Sequence, residues 1–207
     1  MHPNEPWLGI ESWLAVHARA TFDGLRPGAT NADVDALESL LQQTLPSQLR
    51  AFLLVHNGAD VAGPQNRHFG WVLPGGESLG VHEIGENWSL MTGIGETLRQ
   101  EYPDEYDESA GAAAATPGLY FLPSFIPIVD QLDGNYLFVD NRRGESTGCV
   151  GIWSKDDVPY FPPEWSSVDL FLESTRLALV TGKVACIYRP VVEEQALDWE
   201  FAMPEGT

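Results

Sequence analysis

Apolar residues recur at helical spacing through the first quarter of the chain and predict three helices. The first is predicted over residues 7–20. The second follows Thr30, whose hydroxyl suits a helix N-cap, and Asp33 stands three residues on, where a carboxylate completes a capping box. The third has Pro46 at its first turn and ends at His56–Gly58, because asparagine and glycine tolerate the left-handed backbone that ends many helices.

The middle of the chain predicts a strand, a longer helix and an acidic loop. Residues 69–73 are apolar and aromatic, which indicates a strand ended by Pro74–Gly76. Between Ile84 and Leu98, apolar residues recur in steps of three and four, which predicts a helix. Residues 101–118 combine five acids with a run of four alanines, and this composition favours a mobile, acidic insertion in a loop.

The clearest strand signal lies in the second half of the chain, where three apolar segments separated by polar turns predict an antiparallel meander. The predicted strands are Ile126–Asp130, Asn135–Asp140 and Gly148–Ser154. A helical apolar stripe then begins after Ser166 or Ser167 and ends at Gly182. The tail over 188–201 alternates enough to predict a hairpin or an edge strand.

Charge narrows the classes of partner. Thirty acids and eleven bases among 207 residues give a formal net charge of −19. A nucleic-acid-binding protein that neutralises phosphates needs a basic face, so direct nucleic-acid binding is not expected. Docking on anionic lipid is disfavoured for the same reason. A partner that is itself a basic protein is compatible with this charge.

Three further features bear on the compartment. The N-terminus shows no basic start followed by an apolar run, so no secretory signal is expected. No stretch approaches the roughly 18 apolar residues of a membrane span. Cys149 and Cys186 stand far apart and form no Cys-x-x-Cys pair, and we expect both to be small buried hydrophobes. A cytoplasmic location is therefore predicted.

The motifs of catalysis and cofactor binding are weak. Gly144–Gly148 spells Gly-x-Ser-x-Gly, but it falls between two predicted strands and every histidine precedes Ser146, so a hairpin turn is expected instead of a nucleophile elbow. The histidine spacings match no metal motif, and Asp130, Asp133 and Asp140 are too sparse for a calcium loop. We expect no catalytic residue, no cofactor and no metal.

Seven tryptophans in one small domain are compatible with a protein-binding surface, where tryptophan is enriched. Most lie on predicted apolar stripes and are expected in the core. Trp165 and Trp199 are the two expected to be exposed. Exposed tryptophans in an acidic field would suit a protein partner.

The order of these signals resembles the SUKH superfamily, which includes the Smi/Knr-type proteins. The similarity extends from about Trp7 to Gly182, and its signals are moderately specific in their order. The matching segments are Ile10–Glu11, Leu25–Thr30, Leu37–Glu38, Leu45–Pro46, His56–Gly58, Ile126–Pro127, Asp130, Asp133–Asn135, Asp140, Gly148 and Val150. The segment 101–118 and the tail after Gly182 depart from the pattern.

The resemblance implies an α+β fold in which N-terminal helices and a C-terminal helix pack around a twisted, mainly antiparallel sheet. On this basis residues 1–207 form one domain with a core at about 7–182, an acidic insertion at 101–118 and an extension at 183–207. The resemblance implies no catalysis. Similar bacterial proteins are immunity proteins that neutralise toxins, and fungal relatives regulate cell-wall synthesis through protein contacts.

Charge and resemblance together predict the partner. Many such toxins are nucleases with a basic groove, towards which a protein of charge −19 would be steered. The residues expected to contact a toxin domain are Asp104, Glu105, Asp107, Glu108 and Trp165. Three alternatives remain open: the acids are only a solvated surface, the chain is a regulatory module, or it is a hydrolase in which Ser146 and Asp140 would be the first residues to test.

Overall fold

A computed structural model describes residues 5–64, 67–118, 120–156 and 163–202, and it confirms a mixed α+β architecture. The helices are α1 Glu5–His17, α2 Arg19–Gly24, α3 Asn31–Leu41, α4 Ser47–Val55, α5 Val81–Glu101, α6 Pro103–Gly111 and α7 Val168–Thr181. The strands are β1 Glu77–Ser78, β2 Phe125–Asp130, β3 Tyr136–Asp140, β4 Cys149–Trp153, β5 Tyr188–Glu193 and β6 Ala196–Phe201. Residues 1–4, 203–207 and most of the proline-rich segment 159–163 lie outside the described residues.

The predicted meander is confirmed. The first four strands form one antiparallel sheet in the order β1-β2-β3-β4, and β5 pairs with β6 in a separate hairpin. Asp130 pairs with Tyr136 where the chain turns from β2 to β3, and Asp140 pairs with Cys149 across the β3–β4 turn. That second turn contains the Gly-x-Ser-x-Gly sequence, as expected.

Strand β3 is buried along its whole length because both of its faces are covered. Leu137 and Val139 point into the larger core, which is built mainly by α1, α3, α4 and α7. Tyr136 and Phe138 point the other way, into a smaller and mostly aromatic cluster beneath α5 and α6. The alternation of side chains along a strand therefore assigns one face to each cluster.

The predicted helix boundaries are largely confirmed. Thr30 caps α3, with its Oγ1 accepting from the Asp33 amide at 3.2 Å while the Asp33 carboxylate accepts from the Thr30 amide at 2.8 Å. Ser167 caps α7, and Gly182 ends that helix in the left-handed region at φ +68°. The predicted first helix differs in one respect, since it breaks at Ala18 into α1 and α2.

The segment predicted as a strand over 69–73 is instead irregular. Gly70 adopts φ +78°, and its backbone approaches Leu197 so closely that a Cβ would lie 2.0 Å from the Leu197 carbonyl oxygen. The Trp71 amide donates to that same carbonyl at 2.8 Å. Contact with β6 therefore replaces regular pairing here, and the local apolar run alone could not reveal it.

The acidic segment is helical, so the prediction of a loop over 101–118 is wrong for its first half. Pro103 stands at the first turn of α6, where its missing amide hydrogen costs nothing and its fixed φ suits a helix. Asp104 and Glu105 occupy that same turn and interact favourably with the positive end of the helix dipole. These local signals outweigh the low apolar content of the segment.

The C-terminal tail forms a hairpin, as predicted, with Glu194 and Gln195 both at positive φ in its turn. Cys149 is buried as expected, but Cys186 is only partly buried, which corrects the expectation for that residue. Burial, reinforced by a nearby carboxylate, raises the pKa of Cys149 to about 11 and that of Cys186 to about 12. Neither thiol is therefore activated as a thiolate.

Two kinds of feature are absent from the described residues. Within the described ranges, no helix is both long and apolar enough to cross a membrane. Over the same ranges, no three His, Cys, Asp or Glu side chains come together in a way that could hold a metal ion.

The Thr30 cap gives a direct test of the helix-boundary argument. Thr30→Ala should lower the free energy of unfolding by about 1 kcal/mol because an amide at the start of α3 loses its acceptor. Urea denaturation would measure the change. Thr97→Ala is the matched control, since among the described residues the exposed Thr97 hydroxyl bonds only back to Gly93 within α5. An equal loss in both variants would contradict the capping role.

The capping box formed by Thr30 and Asp33 should also affect the stability of the protein at acid pH. Hydrogen bonds from the Thr30 hydroxyl and then its amide hold the pKa of Asp33 below the ordinary 3.8. A carboxyl whose pKa is lowered by folding contributes stability above its unfolded pKa, and that contribution is lost as pH falls through the folded pKa. Below about pH 4, Thr30→Ala should therefore lose less stability on acidification than Thr97→Ala. Parallel pH profiles of the two variants would exclude this linkage.

Candidate functional site

Helix α6 presents the four predicted contact acids on its outer side. Those acids are Asp104, Glu105, Asp107 and Glu108, and each of them is exposed. Tyr106 and Ser109, three residues apart on the opposite side, are buried. The helical period therefore places the acids towards solvent and Tyr106 towards the aromatic cluster. These four acids form the surface that we call the acidic face.

A buried ion pair fixes the position of α6 on the sheet. Arg142 Nη2 lies 2.8 Å from Asp140 Oδ2, and both side chains are almost completely buried. The same guanidinium donates to the Ser109 carbonyl in the last turn of α6 at 3.1 Å and to the Thr116 carbonyl at 2.7 Å. The Asp140 carboxylate also accepts from the Ala115 amide at 3.0 Å. The rigid guanidinium fork thus joins the end of β3 to the chain that follows α6.

The other side of α6 is held against α5. Arg99 on α5 donates from Nε to the Asp107 carboxylate at 3.0 Å, and its guanidinium lies 5.7 Å from the centre of the Tyr106 ring. Tyr106 stacks on Tyr120 with ring centres 5.6 Å apart. Close packing under α5 depends on Gly95, because a Cβ there would lie 2.6 Å from the Phe121 carbonyl oxygen.

The electrostatic field around α6 is negative. Residues 96–111 contain six acids and one base, Arg99. A hydrogen bond to Glu101, followed by its charge, raises the pKa of Tyr102. Burial and then a hydrogen bond to Glu105 raise the pKa of Tyr120. Neighbouring carboxylates thus disfavour the charged phenolate form of both tyrosines, which is the expected effect of like charge.

Trp165 does not belong to this surface, and the prediction that it is exposed is wrong. It is 8% exposed, and its ring packs against Phe171 with centres 4.8 Å apart. Its backbone pairs with Val150, the second residue of β4, and this pairing places the indole in the larger core. Trp199 is also buried, and its indole donates to the Trp71 carbonyl at 2.9 Å.

Sequence reasoning does not identify the pair that anchors the site. From the sequence, Asp140 is interpreted as the end of a strand and as part of the family resemblance, and it is considered for a calcium loop and for a hydrolase, but it is not paired with Arg142. The spacing of Asp140 and Arg142, two residues apart at a strand end, is the only local signal. Whether such a pair is buried depends on α6, which covers it from a distant part of the sequence.

Comparison with known proteins identifies related sequences. Residues 28–174 match the family described as SMI1 / KNR4 family (SUKH-1). A cell wall biosynthesis/cell cycle regulator, smi1, from Schizosaccharomyces pombe is 30% identical over 163 residues, which cover 74% of this chain and 31% of that protein. A glucan synthesis regulatory protein from Neurospora crassa is 28% identical over 167 residues, covering 67% and 31% respectively. The chain thus spans about a third of the length of these curated relatives.

Replacing Arg142 tests the anchorage of α6. Arg142→Met should lower the free energy of unfolding by about 3–5 kcal/mol, because it leaves the Asp140 carboxylate buried and unpaired. Urea denaturation measures the global loss of stability. Relative to wild type, the rate of amide hydrogen exchange should increase more in α6 than in α3. Arg143→Met is the control, since Arg143 is the adjacent residue and is exposed.

If Arg142→Met is too unstable to study, Arg142→Lys keeps the charge but removes the planar fork, and it should show the same pattern at smaller size. Unchanged exchange in α6 in both Arg142 variants would refute the anchorage.

Proposed function

The chain belongs to the SMI1 / KNR4 family (SUKH-1), and from that membership we propose that it is a non-catalytic protein-binding domain that binds and neutralises a basic toxin domain as an immunity protein. The observation that carries the proposal is the anchored acidic face of α6. Four exposed carboxylates stand on one short helix, and that helix is tied to the sheet by buried hydrogen bonds.

Preorganisation makes this surface suited to binding. A flexible acidic loop would lose conformational entropy when it meets a partner, whereas a helix already fixed by Arg142 and Tyr106 loses little. The net charge of −19 would also steer a basic partner towards the chain, with association faster by roughly tenfold or more at low salt. A nuclease domain with a basic substrate groove has the required charge.

The geometry of Ser146 and Asp140, the two residues considered for hydrolysis, supports binding over catalysis. Ser146 lies in a turn between two strands and not in the strand-to-helix elbow that a hydrolase nucleophile needs. The Asp140 carboxylate is fully buried and already accepts hydrogen bonds from Arg142 and Ala115. The burial of Asp140 and the turn setting of Ser146 both support a non-catalytic role. The unpaired Cys149 and Cys186 are compatible with a reducing compartment, which supports a cytoplasmic location in this proposal.

A second candidate function rests on the relatives. Both curated proteins are named as regulators, one of cell-wall biosynthesis and the cell cycle and one of glucan synthesis. A domain of the same family could act by binding endogenous proteins of such a system. This function requires weaker binding to several partners, whereas an immunity protein requires tight binding to one.

Capture by the immobilised chain distinguishes the two functions. Lysate and secreted protein from the source organism would be passed over wild type, and the retained proteins identified by mass spectrometry. The immunity function predicts one stoichiometric basic protein that is retained at low salt and bound more weakly as salt rises. Several sub-stoichiometric partners would instead support the regulatory function.

Charge reversal then locates the contact. Asp104→Lys with Glu108→Lys should slow association with the captured partner by about tenfold or more, and it leaves the hydrogen bonds of Glu105 and Asp107 in place. Glu193→Lys with Glu194→Lys is the control of equal charge, because both residues are exposed and lie on the C-terminal hairpin. Equal effects of the two double variants would show that net charge, and not the acidic face, governs binding.

A further inference from the structure

An apolar groove runs beside the acidic face along the outer side of α5. Leu90 and Ile94 lie one turn apart on this helix and are 61% and 49% exposed. Residues four apart on a helix share a face, so the two side chains form a row open to solvent. Leu98 continues the row towards α6. Single exposed leucines are ordinary, but an aligned row at the edge of a cavity is typical of an interaction site.

The opposite wall of the groove is mainly aromatic, and Ser154 and Lys155 line the same cavity. Tyr120, Phe121 and Trp153 line a cavity of about 450 Å³ together with the α5 row. The Phe121 and Trp153 rings meet edge to face with centres 5.6 Å apart, which fixes the shape of this wall. The Trp153 indole nitrogen is buried and has no hydrogen-bond acceptor among the described residues. Its N–H is therefore a local probe that any occupant should disturb.

The groove and the acidic face form one continuous surface through Tyr120. The Tyr120 ring lines the groove and stacks on Tyr106 of α6, while its hydroxyl donates to Glu105 Oε2 at 3.1 Å. An apolar side chain in the groove would therefore lie near the Glu105 carboxylate of α6. A binding segment must then offer apolar groups and positive charge together.

Charge selects the occupant. A second copy of this chain would also carry −19, and an anionic lipid surface would be repelled in the same way. We propose that the groove takes a row of aliphatic side chains from an amphipathic segment of the basic partner, whose flanking Lys and Arg side chains meet Glu105 and the acidic face. This assignment rests on the proposed function and names where its apolar contact lies.

The two parts of the surface should contribute differently to binding. Exposed carboxylates act at long range, raise the association rate and are screened by salt. Apolar contacts in the groove act only after docking, slow dissociation and resist salt. Loss of the groove should therefore weaken binding about equally at low and high salt, whereas loss of the acids should matter chiefly at low salt.

A synthetic peptide can test the groove without knowledge of the natural partner. The probe is a short amphipathic peptide of leucine and lysine with its leucines at helical spacing, and the control peptide has serine in place of each leucine at the same charge. Binding is followed by titration and by the NMR signals of the indole N–H groups. The leucine peptide should shift the Trp153 signal and not that of Trp199, whose N–H is already bonded to Trp71.

Matched variants separate the groove from the acidic face. Leu90→Gln with Ile94→Gln should weaken binding of the leucine peptide by about tenfold or more, because two apolar contacts are lost. Leu177→Gln with Val180→Gln should leave it unchanged, since these α7 residues are 46% and 58% exposed and offer similar apolar surface elsewhere. All four side chains are at the surface, so both double variants should fold.

Each remaining outcome overturns the groove assignment in a distinguishable way. If Asp104→Lys with Glu108→Lys weakens binding but the α5 variant does not, the acidic face binds and the groove does not. An unmoved Trp153 signal, or equal binding of the serine peptide, would likewise exclude the groove as the binding site. If neither variant changes binding, the proposed function fails as well. Dimerisation of the chain alone that is lost in the α5 variant would assign the groove to a second copy.

Discussion

The ion pair between Asp140 and Arg142 is the constraint on which the candidate surface depends. Burying two charges costs several kcal/mol per ion, and this cost is offset only where geometry and additional hydrogen bonds are favourable. Here the additional bonds come from Ser109, Ala115 and Thr116, all in or just after α6. The pair is therefore fully satisfied only when α6 is seated, and formation of the pair and placement of the acidic helix are coupled.

Strand β3, which ends at Asp140, connects the ion pair to both hydrophobic clusters. Its alternate residues enter two different cores, one shared with the N-terminal helices and α7 and one shared with α5 and α6. The outward-facing acids of α6 thus stand on the far side of the sheet from the larger core. Such an arrangement allows the surface of α6 to vary in charge and composition while the helical core keeps its packing.

Elements defined by local pattern were predictable from the sequence, and elements defined by distant contacts were not. The Thr30 cap, the Gly182 end and the meander depend on residues close together in the chain, so their signals are visible without a structure. The course of the segment around Gly70 depends on Leu197 of β6, far away in sequence. The burial of Trp165 depends on backbone pairing with Val150 of β4, which is nearer in sequence but is not signalled by a helical or strand period. The acids of the candidate site follow from charge together with the family resemblance, but their helix, their anchor and the adjoining groove require the tertiary structure.

Under the proposed function, α6 and the outer face of α5 together form the partner-binding surface. Hydrogen–deuterium exchange of the chain, alone and bound to the partner it captures, tests this most directly. Binding at this surface should protect amides in 90–111 and leave α7 and the C-terminal hairpin unchanged. Protection confined to α7 or to the hairpin, with α6 exchanging as in the free protein, would contradict it.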